Sequence, residues 1–147
     1  MKIKFTRKQE SWPETEYFQR LRSKGFSPKL HVDCEIIEKD DLQLEGTPAE
    51  HQYMPSQLRD DMLLEDDLNK MIQSAESVMN GSSNKWEATG NAWTVVLKPE
   101  GAVFEFSIMD GMPGGLVSLN SYIYALKAWK EFLADEKCLE RVVSLPN

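Results

Sequence analysis

The residues of this chain that could do chemistry begin with His31 and Cys34, which have the H-x-x-C spacing of half a zinc site. They lie in a segment of alternating polar and apolar residues, which predicts a strand, and positions three apart on a strand face opposite sides. Cys34 is therefore expected in the core and His31 on the exposed face. The other candidate ligands are acids and the second histidine: Asp33, Glu35 and His51. Their spacing matches no known metal site, so we expect no metal and no cofactor.

Other motifs do not indicate nucleophilic catalysis. The sequence has no G-x-S-x-G, the turn that exposes a catalytic serine. Cys138 follows Lys137, which could activate its thiol, but it also lies at the end of an apolar helical stripe. The glycine-rich segment 110–115 precedes a helix, where an anion could bind, yet it lacks the lysine of a phosphate-binding loop. We predict a flexible turn there, and we expect no catalytic residue and no enzyme activity.

Paired carboxylates are abundant, at positions 40–41, 60–61 and 66–67. General acid–base catalysis needs a carboxylate that is desolvated enough to have a raised pKa. These pairs neighbour turns or lie on the polar side of a helix. We therefore predict that they are solvated and form part of the surface.

Charge is distributed unevenly along the chain. The 17 basic and 24 acidic residues give a net charge of −7. Residues 1–32 carry +5, residues 33–67 carry −10 and residues 68–147 carry −2. We call residues 33–67 the acidic segment. Such acidity disfavours binding to nucleic acid, because the neutralisation of phosphates supplies most of that affinity.

The acidic segment has two interpretations. It could keep a small protein soluble and monomeric. Alternatively, it could dock a strongly basic protein such as a nuclease, because an acidic surface mimics nucleic acid and accelerates association. Tyr53 and Met54 are residue types that suit interface anchors. The candidate contact residues are acids: Glu38, Asp40, Asp41, Glu45, Asp60, Asp61, Glu65, Asp66 and Asp67.

Hydrophobic periodicity predicts the elements that position these residues. Ser11, with Pro13 in the first turn, predicts the start of a short helix that ends at Gly25. A single helix is predicted from Leu58 to Met79 after an irregular surface connection over 39–57. A last helix is predicted to start at a cap at position 118 or 120. The predicted strands cover 2–6, 30–37, 85–89, 92–97 and 102–108, with a short addition at 116–118.

A chain of 147 residues is expected to form one domain, 1–147. The order of elements predicts an α+β fold. An antiparallel sheet, made of a meander of three to four strands plus the N-terminal strands, would pack with two long helices and one short N-terminal helix. Trp86, Trp93 and Trp129 lie within apolar patterns and are expected in the core.

The C-terminal half resembles the uncharacterised bacterial YacL-type family. The matching residues are Asn80-Gly81-Ser82, then Trp86 with Gly90, then 93–97, and finally Ser118-Leu119 leading to Ala125, Trp129, Phe132 and Leu133. The resemblance covers about residues 62–134. Most of these residues form core, so the resemblance implies a fold and brings no enzymatic role.

In overall character the chain is similar to the acidic immunity proteins of bacterial contact-dependent inhibition systems (CdiI-type). That resemblance is one of kind: small, acidic, α+β and without a catalytic motif. It implies a protein that binds and neutralises a basic toxin domain, often a nuclease. The alternatives are a non-enzymatic regulatory or scaffold protein of the YacL type and a small hydrolase with a carboxylate-bound metal. The apolar runs are short and the N-terminus lacks an apolar core, so we expect no membrane contact and a cytoplasmic location.

Overall fold

A computed structural model describes residues 1–38, 53–106 and 113–146, without the side chains of 38, 113 and 114. Strands and helices alternate irregularly along the chain, as an α+β sequence predicts. The elements are β1 (Lys2–Gln9), α1 (Glu16–Ser23), β2 (Leu30–Glu38), α2 (Tyr53–Asp61), α3 (Glu65–Met79), β3 (Trp86–Thr89), β4 (Trp93–Lys98), β5 (Gly101–Phe106), β6 (Pro113–Val117), α4 (Leu119–Ala134) and β7 (Glu140–Ser144).

The strands form two antiparallel sheets, which confirms the predicted class. The meander is a four-stranded sheet in the order β3-β4-β5-β6. The N-terminal strands do not extend it, contrary to the single sheet that we predicted. They form a separate three-stranded sheet in the order β2-β1-β7, because β1 pairs on one side with β2 and on the other with β7.

The core lies where α4 contacts both sheets. Trp129 and Phe132 pack on Phe5 of β1, with ring centroids 5.1 and 5.5 Å apart. Tyr122, near the start of the same helix, packs edge-on against Phe104 of β5. α3 packs alongside α4 and adds Leu68, among others, to the same buried cluster. α4 therefore joins the two sheets through one continuous apolar surface.

The predicted helix from Leu58 to Met79 is wrong in two respects, because its first part begins at Tyr53 and it is interrupted at residues 62–64. Leu64 has an extended backbone (φ −98°, ψ 137°) and precedes the first residue of α3. The carbonyl of Met62 accepts a hydrogen bond of 2.8 Å from the indole N–H of Trp129 on α4. A distant side chain thus satisfies a carbonyl that would otherwise bond within a helix.

Three further expectations need correction. Thr15, not Ser11, caps α1, and the helix begins at Glu16. The turn predicted over 110–115 is wrong from Pro113 onwards, where β6 begins, and residues 110–112 lie outside the described residues. The C-terminal residues were not expected to form a strand, yet β7 pairs with β1 over its whole length. Gly25 does follow α1 with a positive φ of 89°, the conformation predicted for its helix-ending role.

A buried arginine closes the end of α4. Arg7 on β1 is 7% exposed and donates hydrogen bonds to the carbonyls of Phe132, Leu133 and Asp135. It also bonds to Cys138 O and lies 4.5 Å from the ring centroid of Phe132. The carbonyls of Phe132, Leu133 and Asp135 lie at the C-terminal, negative end of the dipole of α4, so they compensate the buried charge. Arg7 has the same strand parity as Ile3 and Phe5, and that parity is the sequence signal for its burial.

Candidate functional site

The candidate site is the corner between α2 and α3, which we call the acidic corner and define as residues 63–67. Leu63 and Leu64 follow the end of α2, and their side chains are 48% and 66% exposed. Glu65, Asp66 and Asp67 then form the first turn of α3. Three carboxylates stabilise that turn through the helix dipole, which takes the place of a side-chain cap. The corner therefore presents apolar and acidic groups side by side.

A groove of about 240 Å³ lies directly beside the acidic corner. It runs between the corner and α4, with Leu63 and Glu65 on one side and Lys130 and Leu133 on the other. Lys130 approaches Glu65 at 3.9 Å and donates a hydrogen bond of 2.7 Å to Asn69. Asp66 and Asp67 form no hydrogen bond or ion pair with the described residues. These two carboxylates of the corner can therefore form ion pairs with a binding partner.

Asp60 and Asp61, which were expected in the contact surface, have bonds within the chain instead. The carboxylate of Asp61 accepts the backbone N–H groups of Ala92 and Trp93, at 3.1 and 2.9 Å. Asp60 accepts the indole N–H of Trp93 at 3.0 Å. Together they attach the end of α2 to the start of β4, so the prediction that this pair is simply solvated is wrong.

Gly90 permits this attachment. A Cβ at Gly90 would lie 2.5 Å from Oδ2 of Asp61, so any larger residue would collide with the carboxylate. The backbone N–H of Gly90 bonds to Trp93 O at 2.8 Å and tightens the turn between β3 and β4. The glycine is needed for close approach of a side chain to the turn.

Arg59 neutralises part of the acidic segment. Its guanidinium contacts Asp60 at 3.0 Å and Asp33 of β2 at 3.4 Å. The hydrogen bond to Asp60 is the main reason that the pKa of Arg59 is raised above its ordinary value. Glu35 is likewise paired with Lys4 at 2.9 Å, and that bond raises the pKa of Lys4. With Asp61 and Glu65, five acids of the segment thus have partners among the described residues.

The remaining candidate contact residues are placed as follows. Glu38 is the last residue of β2. Asp40, Asp41 and Glu45 lie outside the described residues. Glu65, Asp66 and Asp67 are consecutive in the first turn of α3. Glu65 lines the groove beside α4, whereas Asp67 lines a second cavity of about 280 Å³ together with Asp61.

Tyr53 and Met54 do not serve as exposed anchors. They begin α2, although we expected an irregular connection through residue 57. Met54 is 2% exposed in the core, and the ring of Tyr53 packs 5.2 Å from that of Trp93. The exposed apolar residues of this region are instead Leu63 and Leu64. Sequence reasoning missed them because Leu64 fits the apolar stripe of an uninterrupted helix.

The histidine and cysteine candidates are dispersed in the structure. His31 is exposed and lies 4.0 Å from Glu10. Cys34 is buried, as predicted, and burial raises the pKa of its thiol well above the ordinary range. Cys138 donates to the carbonyl of Glu140 at 3.3 Å, and His51 is not among the described residues. In the described part of the chain, no three His, Cys, Asp or Glu side chains are grouped so as to hold a metal ion.

Trp93 and Trp129 are buried as predicted, whereas Trp86 is only partly buried at the edge of the core.

No family model, curated protein or solved structure matches this chain. None of the helices within the described ranges combines the length and the apolar character needed to cross a membrane.

Proposed function

We propose that this protein is an inhibitor of the immunity type, which binds and neutralises a basic toxin domain, such as a nuclease, at the acidic corner. The observation that carries the proposal is the arrangement of the corner itself. Two exposed leucines lie next to Asp66 and Asp67, carboxylates with no bonding partner in the described part of the chain.

Apolar and acidic groups together favour a protein partner over a small cation. A hydrated cation gains nothing from Leu63 and Leu64, whereas a protein surface can bury both side chains. Burial of a leucine contributes about 1.5–3 kcal/mol, which is enough to anchor an interface. The carboxylates add long-range attraction to a basic surface and raise the association rate.

A toxin that acts on nucleic acid has to attract phosphate and is therefore basic around its active site. Docking of the acidic corner would place carboxylates where the phosphates of the substrate bind. Because Asp33, Glu35 and Asp60 form ion pairs with Lys4 or Arg59, the described carboxylates left without a cationic partner are concentrated at the start of α3. The proposal thus narrows the contact set to Leu63, Leu64 and the first turn of α3.

The test begins with a search for a toxin gene beside this one and uses the toxic domain that it encodes, purified in a catalytically inactive form. Asp66→Asn/Asp67→Asn should lower the association rate constant about tenfold at 50 mM salt, with the difference shrinking at 300 mM salt. Leu64→Ser should instead raise the dissociation rate, because it removes buried apolar area. Both are measured by surface plasmon resonance.

Glu87→Gln/Glu100→Gln is the matched control, since it removes two exposed acids away from the acidic corner, one on β3 and one in the turn between β4 and β5, and should leave both rate constants unchanged. Unchanged kinetics in the Asp66/Asp67 variant, or no complex with the wild-type chain, would contradict the proposal. A neighbourhood without a toxin gene would favour the regulatory alternative of the YacL type.

A further inference from the structure

The outer edge of β7 is open along five residues, although α4 contacts the strand and Glu140 and Arg141 give it charged side chains. Among the sheet edges, β2 is contacted by α2, β3 has only four residues, and β6 begins with a proline and pairs irregularly with β5. β7 pairs regularly with β1 on one side and with no other described strand. A regular edge with open backbone groups is a template for pairing with a further strand.

Backbone geometry identifies which groups of β7 are free to pair. Arg7 N donates to Leu139 O, and Leu145 N donates to Met1 O, both at 2.9 Å. In an antiparallel ladder, residues whose N–H and C=O face the neighbour alternate with residues whose groups face away. The odd-numbered residues of β7 therefore bond to β1. Glu140, Val142 and Ser144 direct their backbone groups to the open edge, and all three are exposed. The carbonyl of Glu140 already accepts a hydrogen bond from the thiol of Cys138, and its second lone pair can accept another.

We propose that the open edge of β7 binds the same edge of a second copy of this chain, in antiparallel register with the two-fold axis at Val142. Val142 then pairs with Val142 of the second copy, and Glu140 pairs with its Ser144. About six backbone hydrogen bonds form, because each of the three pairs exchanges two. The two three-stranded sheets become one sheet of six strands.

The side chains select this register over its neighbours. An axis at Arg141 would place two arginines opposite each other, which is unfavourable. An axis at Val143 would pair Glu140 with Pro146, which has no N–H to donate. The axis at Val142 places a valine against a valine and a serine hydroxyl against a carboxylate. The sequence of the edge is therefore complementary to itself.

The surroundings of β7 have room for the added strand. A groove of about 670 Å³ lies between α4 and β7, with Tyr124 and Ala128 on the helix side and Val143 on the strand side. Tyr124 is 49% exposed and Val142 is 50% exposed, so both have apolar area that pairing can cover. Lys127 and Glu131, four residues apart on α4, also line this groove and give its rim charges of both signs.

Sedimentation equilibrium of the full chain from 1 to 200 µM tests the proposal. We expect twice the monomer mass at the upper concentrations. Val142→Lys should give a monomer throughout, because two lysines would meet at the axis, while Val142→Thr should remain a dimer. Ser144→Glu should weaken the dimer about tenfold by opposing Glu140, and Ser144→Arg should strengthen it. Far-UV circular dichroism checks the fold of each variant.

Hydrogen exchange provides an independent readout that depends on the register. The amide protons of Val142 and Ser144 should become protected as the concentration rises, whereas that of Val143 should be protected at every concentration. A wild-type monomer at 200 µM, or a dimer that is indifferent to Val142→Lys and Ser144→Glu, would overturn the proposal. Protection of Val142 only after a basic protein is added would also overturn it, since the edge would then belong to a different partner.

Discussion

At the scale of single residues, Asp61 shows how an acid in a charged run can have an inward role. Its carboxylate accepts two backbone N–H groups from the turn between β3 and β4. Gly90 makes room for that carboxylate, since a Cβ there would lie 2.5 Å from it. The two residues therefore act as one unit, which can be tested by measuring their coupling.

Gly90→Ala should lower the free energy of unfolding by about 2 kcal/mol, because the new methyl group collides with the carboxylate. Asp61→Ala should lower it by about 2–3 kcal/mol, because two N–H groups lose a charged acceptor. In the double variant the methyl group no longer meets the carboxylate, so the combined loss should be smaller than the sum by about 1 kcal/mol.

Urea denaturation measures all three losses. Asp66→Ala is the control, because Asp66 bonds to no described residue, and its loss should stay below about 1 kcal/mol. Strict additivity of Gly90→Ala and Asp61→Ala would show that the close approach has no energetic consequence.

At the scale of elements, buried polar side chains determine where the helices end. The indole N–H of Trp129 bonds to Met62 O where the chain leaves α2. Arg7 from β1 donates hydrogen bonds to backbone carbonyls at the end of α4. In both places a residue distant in sequence supplies the hydrogen bond that a helix terminus lacks.

Arg7→Met should lower the free energy of unfolding by about 2–4 kcal/mol, because carbonyls at the end of α4 lose a buried charged donor. Arg7→Lys should give an intermediate loss, since a single ammonium cannot reproduce the planar set of donors. Lys8→Met on the same strand is exposed and should change stability by no more than about 0.5 kcal/mol. Chemical denaturation that finds equal losses for Arg7→Met and Lys8→Met would refute this role.

At the scale of the whole molecule, a thiol and a phenol are buried in their protonated forms in the core that joins the two sheets. Burial raises the pKa of Cys34 on β2 and of Tyr122 on α4. The folded chain keeps these protons at a pH where the unfolded chain releases them. Stability is therefore full below the pKa of the unfolded thiol and is lost as the pH rises above it.

The free energy of unfolding should begin to fall above about pH 8.5, the ordinary pKa of a thiol, with a slope approaching about 1.4 kcal/mol per pH unit for each group. Cys34→Val removes the first of these groups, so its decline should begin nearer pH 10, where an unfolded tyrosine ionises. Urea denaturation between pH 7 and 10.5 measures the onset. The same onset in Cys34→Val and in the wild-type chain would contradict this account.

The self-pairing of β7 is also a property of the whole molecule, because it depends on the partners of β1. β1 is the central strand of its sheet and leaves the opposite side of β7 open. The acidic corner contains no residue of β7, so the two proposed interfaces use different residues. A dimer could therefore carry two acidic corners.

By itself, the sequence determined the class of the fold, the strands β1 to β5, and the burial of Cys34, Trp93 and Trp129. The reason is that the spacing of apolar residues along a strand or helix reflects which side of it is buried, and this spacing can be read from a short stretch of sequence. The sequence also located the concentration of charge that contains the acidic corner. Only the tertiary structure decided that α2 and α3 separate, that Asp60 and Asp61 turn inward, and that β7 completes a second sheet. The reason is physical: each of these depends on a hydrogen bond or a strand pairing between residues far apart in the chain, such as Trp129 with Met62 or β7 with β1.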